Sequence, residues 1–339
     1  MAECLVSFGA NLGTRESAIA TAARELSSLP AVANFRASRL FETPPIGGPS
    51  GQDPFLNGVA AFDTTAGARE VLGWLQELEQ RLGRRRDHRW GARSIDLDVV
   101  LHGNLIGGAS DLTVPHPRYT ARRFVLRPAC DVAADFRDPR FGWTIARLAE
   151  HLDAGNASLA LTGCNAAVRR ELCLQLQQRF GVRTFPDKPL PAPMAVIGNA
   201  PAGSFAAASN HPATTTARLP DANDSRFSVM VDDASAWVSA FIGPLPSGRL
   251  ADTAVTESPG GDSAAVDPRT VPRLIGRMAW TRPEQRWPAP HNIWPSTSRW
   301  PEYRLEVDDL DWTVGEVASA LESMRCPLHP ITDDGFWWY

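Results

Sequence analysis

Hydrophobic positions in the first 153 residues follow two periods, one typical of strands and one typical of helices. The strand-like segments are 3–8, 33–42, 55–63 and 95–101. Apolar residues recur at helical spacing in three further segments, 15–29, 66–82 and 143–152. Thr65 is placed to cap the second of these helices. The resulting βαββαβ order, followed by a terminal helix, predicts a ferredoxin-like α+β sandwich with its helices on one face of the sheet.

The pattern changes after Asp153. Residues 158–163 predict a strand, residues 165–180 a helix, and residues 313–324 a closing helix. Two stretches between them, 186–225 and 246–268, have the composition of long loops or disordered chain. We therefore expect two domains, 1–153 and 157–339, of which the second is an α/β domain.

Composition narrows the class of protein. The chain has 339 residues, of which 43% are hydrophobic, and a formal net charge of −4, a balance that gives no support for binding to nucleic acid or to a membrane surface. Its five cysteines are scattered and form no C-x-x-C pair, which argues against a disulfide scaffold or a structural zinc site and favours free thiols. The first residues lack a basic region followed by an apolar run, and no apolar run in the sequence reaches membrane-spanning length, so we expect no signal peptide and a cytoplasmic protein.

The densest chemical signal is the block GRRRDHRWGARSIDLD, residues 83–98. Asp96 and Asp98 are two residues apart, so on a strand they point to the same face and can share a hard divalent ion. The neighbouring arginines supply bidentate donors for phosphate oxygens. Together they match the needs of a nucleoside triphosphate with magnesium. The alternative is a solvated basic loop followed by an edge strand with outward-facing acids.

Five ordered segments carry a resemblance to a known family. RWGARSIDLDVVLHG resembles the R-W-G-P-R-x-x-D-L-D signature of the 6-hydroxymethyl-7,8-dihydropterin pyrophosphokinases, with Ala92 where proline is common. FGANLG, FETPPIG, FLNGVAAF and LTVPHPRYTARRFVLRPA resemble further segments of that family, in the same order. The resemblance spans nearly all of residues 1–150. It implies transfer of pyrophosphate from ATP to 6-hydroxymethyl-7,8-dihydropterin in folate biosynthesis, with release of AMP.

The resemblance also implies roles for individual residues. It assigns two Mg²⁺ ions to Asp96 and Asp98, which form the catalytic group together with Arg84, Arg86 and Arg93. It assigns the pterin to Thr43, Pro45, Ile46, Phe55, Asn57 and Phe124. It assigns ATP to Glu79, Arg89, Trp90, Arg93, Ile95, His116 and Arg122. For Glu79 a solvent-facing helix position is an open alternative. Asn11 is expected to support the site from the opening loop.

The implied reaction is attack of the pterin hydroxymethyl oxygen on the β-phosphorus of ATP, with AMP as the leaving group. It uses positioning and charge neutralisation by magnesium and arginine, and it requires no covalent intermediate. We expect the loops 46–54 and 83–92 to close over ATP and exclude water. The alternative function is a catalytically silent nucleotide-binding regulator that keeps the fold.

The second half contains a strand, a glycine loop and a helix at residues 157–180. This layout resembles the P-loop kinases, including the deoxynucleoside kinases, whose pattern is G-x-x-x-x-G-K-[ST]. Only the first glycine, Gly163, is retained, since Val168, Arg169 and Arg170 replace the second glycine, the lysine and the magnesium-binding hydroxyl. One hypothesis is therefore an inactive P-loop domain. The other is an unrelated α/β domain.

Overall fold

The computed structural model describes residues 1–48, 51–84, 93–108, 111–185, 236–239, 272–279 and 300–339. Up to residue 153 the elements are β1 (Ala2–Ala10), α1 (Arg15–Ser27), β2 (Val32–Ala37), β3 (Phe41–Thr43), β4 (Phe55–Thr64), α2 (Ala68–Arg81), β5 (Asp96–His102), β6 (Gly107–Gly108), β7 (Thr113–Val114), a 3₁₀ turn (Tyr119–Ala121), α3 (Arg123–Ala133) and α4 (Ile145–Asp153). The later elements are β8 (Ser158–Gly163), α5 (Ala166–Phe180), β9 (Arg183–Phe185), β10 (Ala236–Ser239), β11 (Leu274–Ala279), β12 (Glu302–Glu306), α6 (Leu310–Met324) and β13 (His329–Pro330).

The first sheet contains the predicted strands in an interleaved order. β4 and β5 flank β1, and β2 and β3 both pair with the other edge of β4, every pair being antiparallel. The segment expected to be one strand over 33–42 is divided into β2 and β3. The division falls at Ser38, where the backbone N–H donates to Val59 and the side-chain oxygen accepts from the N–H of the same residue. The architecture of this half is mixed α/β.

Helices cover both faces of this sheet, so the expectation of helices on one face is wrong. Val6 and Phe8 of β1 pack with α1 and α2, whereas Leu5 of the same strand packs with α3 and α4. The sequence pattern predicts no helix over 123–133, where the structure has α3, and this helix contains Pro128. An internal proline removes one hydrogen bond and argues against a helix, but burial of one face of α3 against β4 outweighs that loss.

Helix α2 begins later than predicted. Its N-cap is Gly67 rather than Thr65, and no side chain caps it. The hydroxyl of Thr64 instead accepts from the N–H of Ala66 at 3.0 Å, which closes the turn between β4 and the helix. Thr65 therefore has no capping role.

The second sheet has the order β12–β11–β8–β10–β9, with β8, β11 and β12 parallel to one another and the remaining pairs antiparallel. Leu159 of β8 and Leu305 of β12 belong to the same buried cluster as Leu5 and Leu126 of the first half. The turn between α4 and β8 contains the predicted boundary at 153–157. The division into two domains stays a prediction, and the two halves share a hydrophobic core.

The last residues of the chain return to the first sheet. β13 pairs antiparallel with β3, and the indole N–H of Trp337 donates to the carbonyl of Ser38 at 2.7 Å. The ring of Trp338 lies edge-on to that of Phe35, with 4.8 Å between centroids. A Cβ at Gly335 would lie 1.8 Å from the carbonyl oxygen of Ala37, so only glycine allows this approach. The segment 329–339 is therefore part of the first sheet's packing.

None of the helices in the described ranges combines the length and the apolar content that a membrane crossing requires.

Replacing Trp338 by alanine tests the contribution of this returning segment. Trp338 is only 8% exposed, so we expect Trp338→Ala to lower the free energy of unfolding by about 3 kcal/mol through lost burial and a residual cavity. Phe336, 67% exposed in the same segment, provides the control, and Phe336→Ala should change stability by less than about 0.5 kcal/mol. Equal effects in a urea titration would contradict the packing described here.

Candidate active site

A row of aligned residues crosses the first sheet at the start of β5. Asn57 on β4 and Asp96 on β5 both stand opposite Gly9 on β1, and Asp98 stands opposite Ser7. Because side chains alternate along a strand, these residues share the face that α3 covers farther along, while Leu97 points into the core beneath α1 and α2. A Cβ at Gly9 would lie 3.5 Å from the side-chain oxygen of Asn57 and 3.9 Å from the Cβ of Asp96. Gly9 thus forms a floor between the two.

Arginines hold the carboxylate of Asp96. One oxygen lies 2.8 Å from Nη2 of Arg84, and the other accepts from Nη1 of Arg93 at 2.5 Å. The carboxylate and both guanidinium groups are partly exposed. The predicted convergence of aspartate and arginine is therefore present for Arg84 and Arg93.

The carboxylate of Asp98 faces the segment before α3. Arg122 donates to it through Nη1 at 3.2 Å, and Nε2 of His116 lies 3.8 Å from the same oxygen. The two aspartates therefore contact different cations: Asp96 contacts the arginines near the end of α2, and Asp98 contacts Arg122 and His116. The predicted ATP-binding pair and the predicted metal ligands form one cluster.

Glu79 is a buried anchor of this cluster. It is 4% exposed, which rules out the solvent-facing alternative. Its carboxylate accepts from the N–H of Leu97 at 2.8 Å and forms an ion pair with Arg84. Glu79 therefore joins α2 to β5 between the two aspartates and fixes the guanidinium that reaches Asp96.

Asn11 fixes the backbone on the other side of Asp96. Its side-chain oxygen accepts from the N–H of Arg93 at 2.7 Å, and its own N–H donates to the carbonyl of Arg93 at 3.0 Å. The supporting role expected for Asn11 corresponds to this contact. Ile95, in contrast, has its side chain fully buried in the core under α1 and α2. Its side chain is not brought to the cluster.

His116 is held in one orientation by backbone groups. Its N–H donates to the carbonyl of Val100 at 2.9 Å, and its Nδ1 accepts from the N–H of Arg118 at 3.2 Å. This assigns the ring proton to Nε2, the atom that faces Asp98. Burial, followed by the nearby charges of Arg122 and Arg118, lowers the pKa of His116 well below its ordinary value of 6.5. The ring is therefore neutral at physiological pH.

The predicted pterin residues surround the other end of the aligned row. The amide of Asn57 donates to the hydroxyl of Thr43 at 2.8 Å, and both side chains are buried. Phe55 lies opposite Thr43 on the neighbouring strand and is half-buried, as is Phe124 at the start of α3. The guanidinium of Arg122 lies 5.8 Å from the ring centroid of Phe124, which connects this region to Asp98.

A cavity of about 700 Å³ adjoins the pterin residues. One wall is the segment 44–48, which includes Pro44 and Ile46, and the other is formed by the ends of α5 and α6. The thiol of Cys326, brought from the far end of the chain, hydrogen-bonds with Thr43, and burial raises its pKa to about 11. Sequence reasoning missed this contribution of the second half, because no local pattern links residues so far apart. Pro45 belongs to the same 44–48 segment and is half-buried.

Three predicted site residues lie outside the described residues. They are Arg86, Arg89 and Trp90, all within 85–92. The expected closure of the loops 46–54 and 83–92 includes undescribed positions as well and stays a prediction.

The glycine loop of the second half is occupied by protein groups. Asn165 caps α5 by accepting from the N–H of Val168 at 2.9 Å. Nη1 of Arg169 donates to the carbonyls of Gly163 and Cys164 at 2.7 and 3.0 Å, so the guanidinium is held by carbonyls of the loop itself. Gly163 is explained by a φ of +81° and by the close approach of Met278. The inactive P-loop domain and the unrelated α/β domain both stay hypotheses.

Cys4 and Cys164 are not candidates for a reactive thiolate. All five cysteines are free, as expected, and burial is the main cause that raises the pKa of Cys4 and of Cys164 to about 12. Both groups are therefore protonated thiols at neutral pH, and a thiolate nucleophile is not available from them.

The first half of the chain is similar to known proteins. The family model described as 7,8-dihydro-6-hydroxymethylpterin-pyrophosphokinase (HPPK) matches residues 5–134. A 2-amino-4-hydroxy-6-hydroxymethyldihydropteridine pyrophosphokinase from Pseudomonas aeruginosa is 40% identical over 134 residues, which cover 40% of this chain and 82% of the relative. A protein of the same name from Synechocystis is 34% identical, over 44% of this chain and 75% of the relative.

Among solved structures, a wild-type HPPK-DHPS from Plasmodium falciparum aligns with 10% identity and a TM-score of 0.34, over 53% of this chain and 46% of that one.

Titration of His116 tests the electrostatics of the cluster. In protein without metal or nucleotide, we expect its Cε1 proton to keep the neutral shift as the pH falls below 6.5. The folded pKa lies below that of the unfolded chain, so the unfolded chain takes up the proton first. The stabilising contribution is present above about pH 6.5 and is lost as the pH falls through the folded pKa. The NMR signal is assigned with His116→Gln, and a midpoint at or above 6.5 would contradict the burial described here.

Proposed function

The chain belongs to the 7,8-dihydro-6-hydroxymethylpterin-pyrophosphokinase family, and from that premise we propose how the cluster on its first sheet transfers pyrophosphate from ATP to the hydroxymethylpterin in folate synthesis. The observation that carries the proposal is the pair of same-face aspartates, each contacted by a separate arginine group. That arrangement places negative and positive charge around one edge of the sheet, where a triphosphate and its metal need both.

The arginines supply the phosphate contacts. Arg84 and Arg93 neutralise Asp96, and Arg122 neutralises Asp98. We infer that on binding of ATP these guanidinium groups exchange a carboxylate oxygen for a phosphate oxygen over a short distance. The ion pair with Glu79 fixes the guanidinium of Arg84, so little reorganisation is needed for it to bind a phosphate. Donors that are oriented in advance in this way stabilise the charge that develops on the phosphate oxygens in the transition state.

Asp96 and Asp98 would hold magnesium. Mg²⁺ binds through one or two carboxylates together with substrate phosphates, and the described residues contain no group of three histidine, cysteine or acidic side chains that would hold a metal by themselves. Two same-face carboxylates beside phosphate-binding arginines fit that mode. When bound, the metal would neutralise charge on the transferred pyrophosphoryl unit. The number of ions, two by family resemblance, is part of the proposal.

His116 contributes a neutral hydrogen-bond donor. Its Nδ1 is occupied by the N–H of Arg118, so Nε2 carries the proton and faces the edge where Arg122 and Asp98 meet. A neutral imidazole N–H can donate a hydrogen bond to a phosphate oxygen without transferring its proton to the phosphate. We therefore assign His116 to ATP binding together with Arg122.

The pterin is assigned to the region of Asn57. The amide nitrogen of Asn57 is fixed by Thr43, which leaves the amide oxygen oriented toward the floor at Gly9 and able to accept from an amino group of the pterin. Phe55 and Phe124 supply flat apolar surfaces at this end of the site. In this arrangement the hydroxymethyl group points along the sheet toward Asp96, and its oxygen attacks the β-phosphorus while AMP leaves.

Two further assignments belong to this proposal. The interleaved antiparallel order of β2 to β5 around β1 supports a ferredoxin-like class for the first half. The second half, in which Arg169 fills the loop between β8 and α5, is assigned no phosphate chemistry of its own. A silent nucleotide-binding regulator is the competing function, and it is distinguished by ATP binding without formation of AMP.

Isosteric removal of one carboxylate charge tests the site. We expect Asp98→Asn to lower AMP release by on the order of 100-fold or more, because metal binding and the alignment of Arg122 both depend on that charge. Asp63→Asn, on β4 away from the row of site residues, should retain normal turnover and serves as the control. Near-normal turnover by a folded Asp98→Asn variant would sink the metal assignment, and ATP binding without AMP release by the wild-type protein would favour the regulator.

The number of nucleotide sites tests the assignment of the second half. We expect one equivalent of a non-hydrolysable ATP analogue with Mg²⁺ to bind per full-length chain in a calorimetric titration. Combined Asp96→Asn and Asp98→Asn replacement should greatly weaken that one event, since both proposed ligands are altered. A second event, retained in the double variant, would show that residues 157–339 bind nucleotide themselves.

A further inference from the structure

The segment that carries His116 and Arg122 lies between the two halves of the chain. On one side, the N–H of His116 donates to Val100 of β5. On the other side, the N–H of Arg304 on β12 donates to the carbonyl of Pro117 at 3.3 Å, and the hydroxyl of Thr120 donates to the carbonyl of Glu302 at 2.8 Å. The predicted ATP-binding residues are thus held by the second half as well as by the first sheet.

Arg118 links this segment to α6. Its side chain forms an ion pair with Glu316, which is 1% exposed and also lies 3.5 Å from the hydroxyl of Tyr303. Its backbone N–H is the group that donates to Nδ1 of His116. One residue therefore connects a buried carboxylate of the second half to the ring orientation of an active-site histidine.

We propose that Glu316 is a positioning residue for ATP: through Arg118 it fixes His116 with Nε2 directed at Asp98, so that residues 300–324 complete the nucleotide site. This inference rests on the proposed function and assigns a role in that reaction to the half of the chain beyond the matched residues 5–134.

Burial of the charge on Glu316 restricts the movement of Arg118. Glu316 is removed from water and Arg118 compensates its charge, so displacement of Arg118 breaks an ion pair to a buried carboxylate and is costly. Because the N–H and side chain of Arg118 belong to one residue, fixing the guanidinium limits the backbone as well. A loosened Arg118 frees Nδ1, and the ring can then turn or change tautomer.

The test compares three full-length variants on α6. Glu316→Gln keeps the shape and a hydrogen-bond acceptor but removes the charge, whereas Glu316→Ala removes both. Val317→Ala is the matched control, because it shortens a fully buried neighbour and leaves the ion pair intact. KM for ATP, KM for the pterin and kcat are measured from AMP release, and thermal melting reports on the stability of each variant.

For Glu316→Ala we expect KM for ATP to rise by roughly 3- to 30-fold, the size of effect that loss of one coupled contact produces. KM for the pterin should stay within about twofold of wild type. Glu316→Gln should show a smaller rise in the same direction, which is the rescue that a positioning role requires. Carbon-13 shifts of His116 should reveal loss of the single Nε2–H tautomer in Glu316→Ala and a partial loss in Glu316→Gln. Val317→Ala should lower the melting temperature and leave KM for ATP and the tautomer unchanged.

An unchanged KM for ATP and an unchanged tautomer in a folded Glu316→Gln variant would overturn the proposal, as would an equal rise in KM for Val317→Ala. If Glu316→Ala does not fold, Glu316→Gln and its tautomer decide the question alone. Failure of the proposed function is separate, since it would be seen in wild-type protein as absence of AMP release.

Discussion

Alternation along β5 is the constraint on which the site depends. Leu97 is buried beneath α1 and α2, and because successive side chains point to opposite faces, Asp96 and Asp98 must project from the other face together. Two carboxylates this close repel each other unless cations compensate them. Arg84 and Arg93 pair with Asp96, and Arg122 pairs with Asp98, so the fold itself holds cations at this edge of the sheet.

Much of the first half could be predicted because its signals are local. The same-face placement of the aspartates follows from a spacing of two residues, and the buried stripe of α2 follows from a period of 3.6. The burial of Glu79 was within reach of that reasoning, since it lies four residues after Leu75 and therefore beside the buried stripe. The sequence alone also allows a solvent-facing position, because a glutamate is rarely buried without a partner and its partners, the N–H of Leu97 and Arg84, come from elsewhere in the chain.

Other features could not be predicted because their causes are not local. Pro128 argues against a helix in the sequence, whereas the stability of α3 comes from its packing on β4. Helices lie on both faces of the first sheet because α3 and α4 pack on the face opposite α1 and α2, and Leu159 and Leu305 of the second half extend that core. The ion pair between Arg118 and Glu316 joins residues nearly two hundred positions apart, and no periodicity in either segment indicates it. The second half is therefore better understood through what it contacts than through its own motifs.

The pairing of β13 with β3 has a consequence for how the chain folds during translation. Leu40, at the entry to β3, accepts from the N–H of Ile331 at 2.8 Å and donates through its own N–H to the hydroxyl of Thr332 at 2.9 Å. During translation the early strands leave the ribosome long before these partners exist. Throughout that interval the β3 edge of the nascent sheet presents unpaired backbone groups beside the residues that we propose bind the pterin. A chaperone acting on the growing chain would have that edge to protect until the last segment docks.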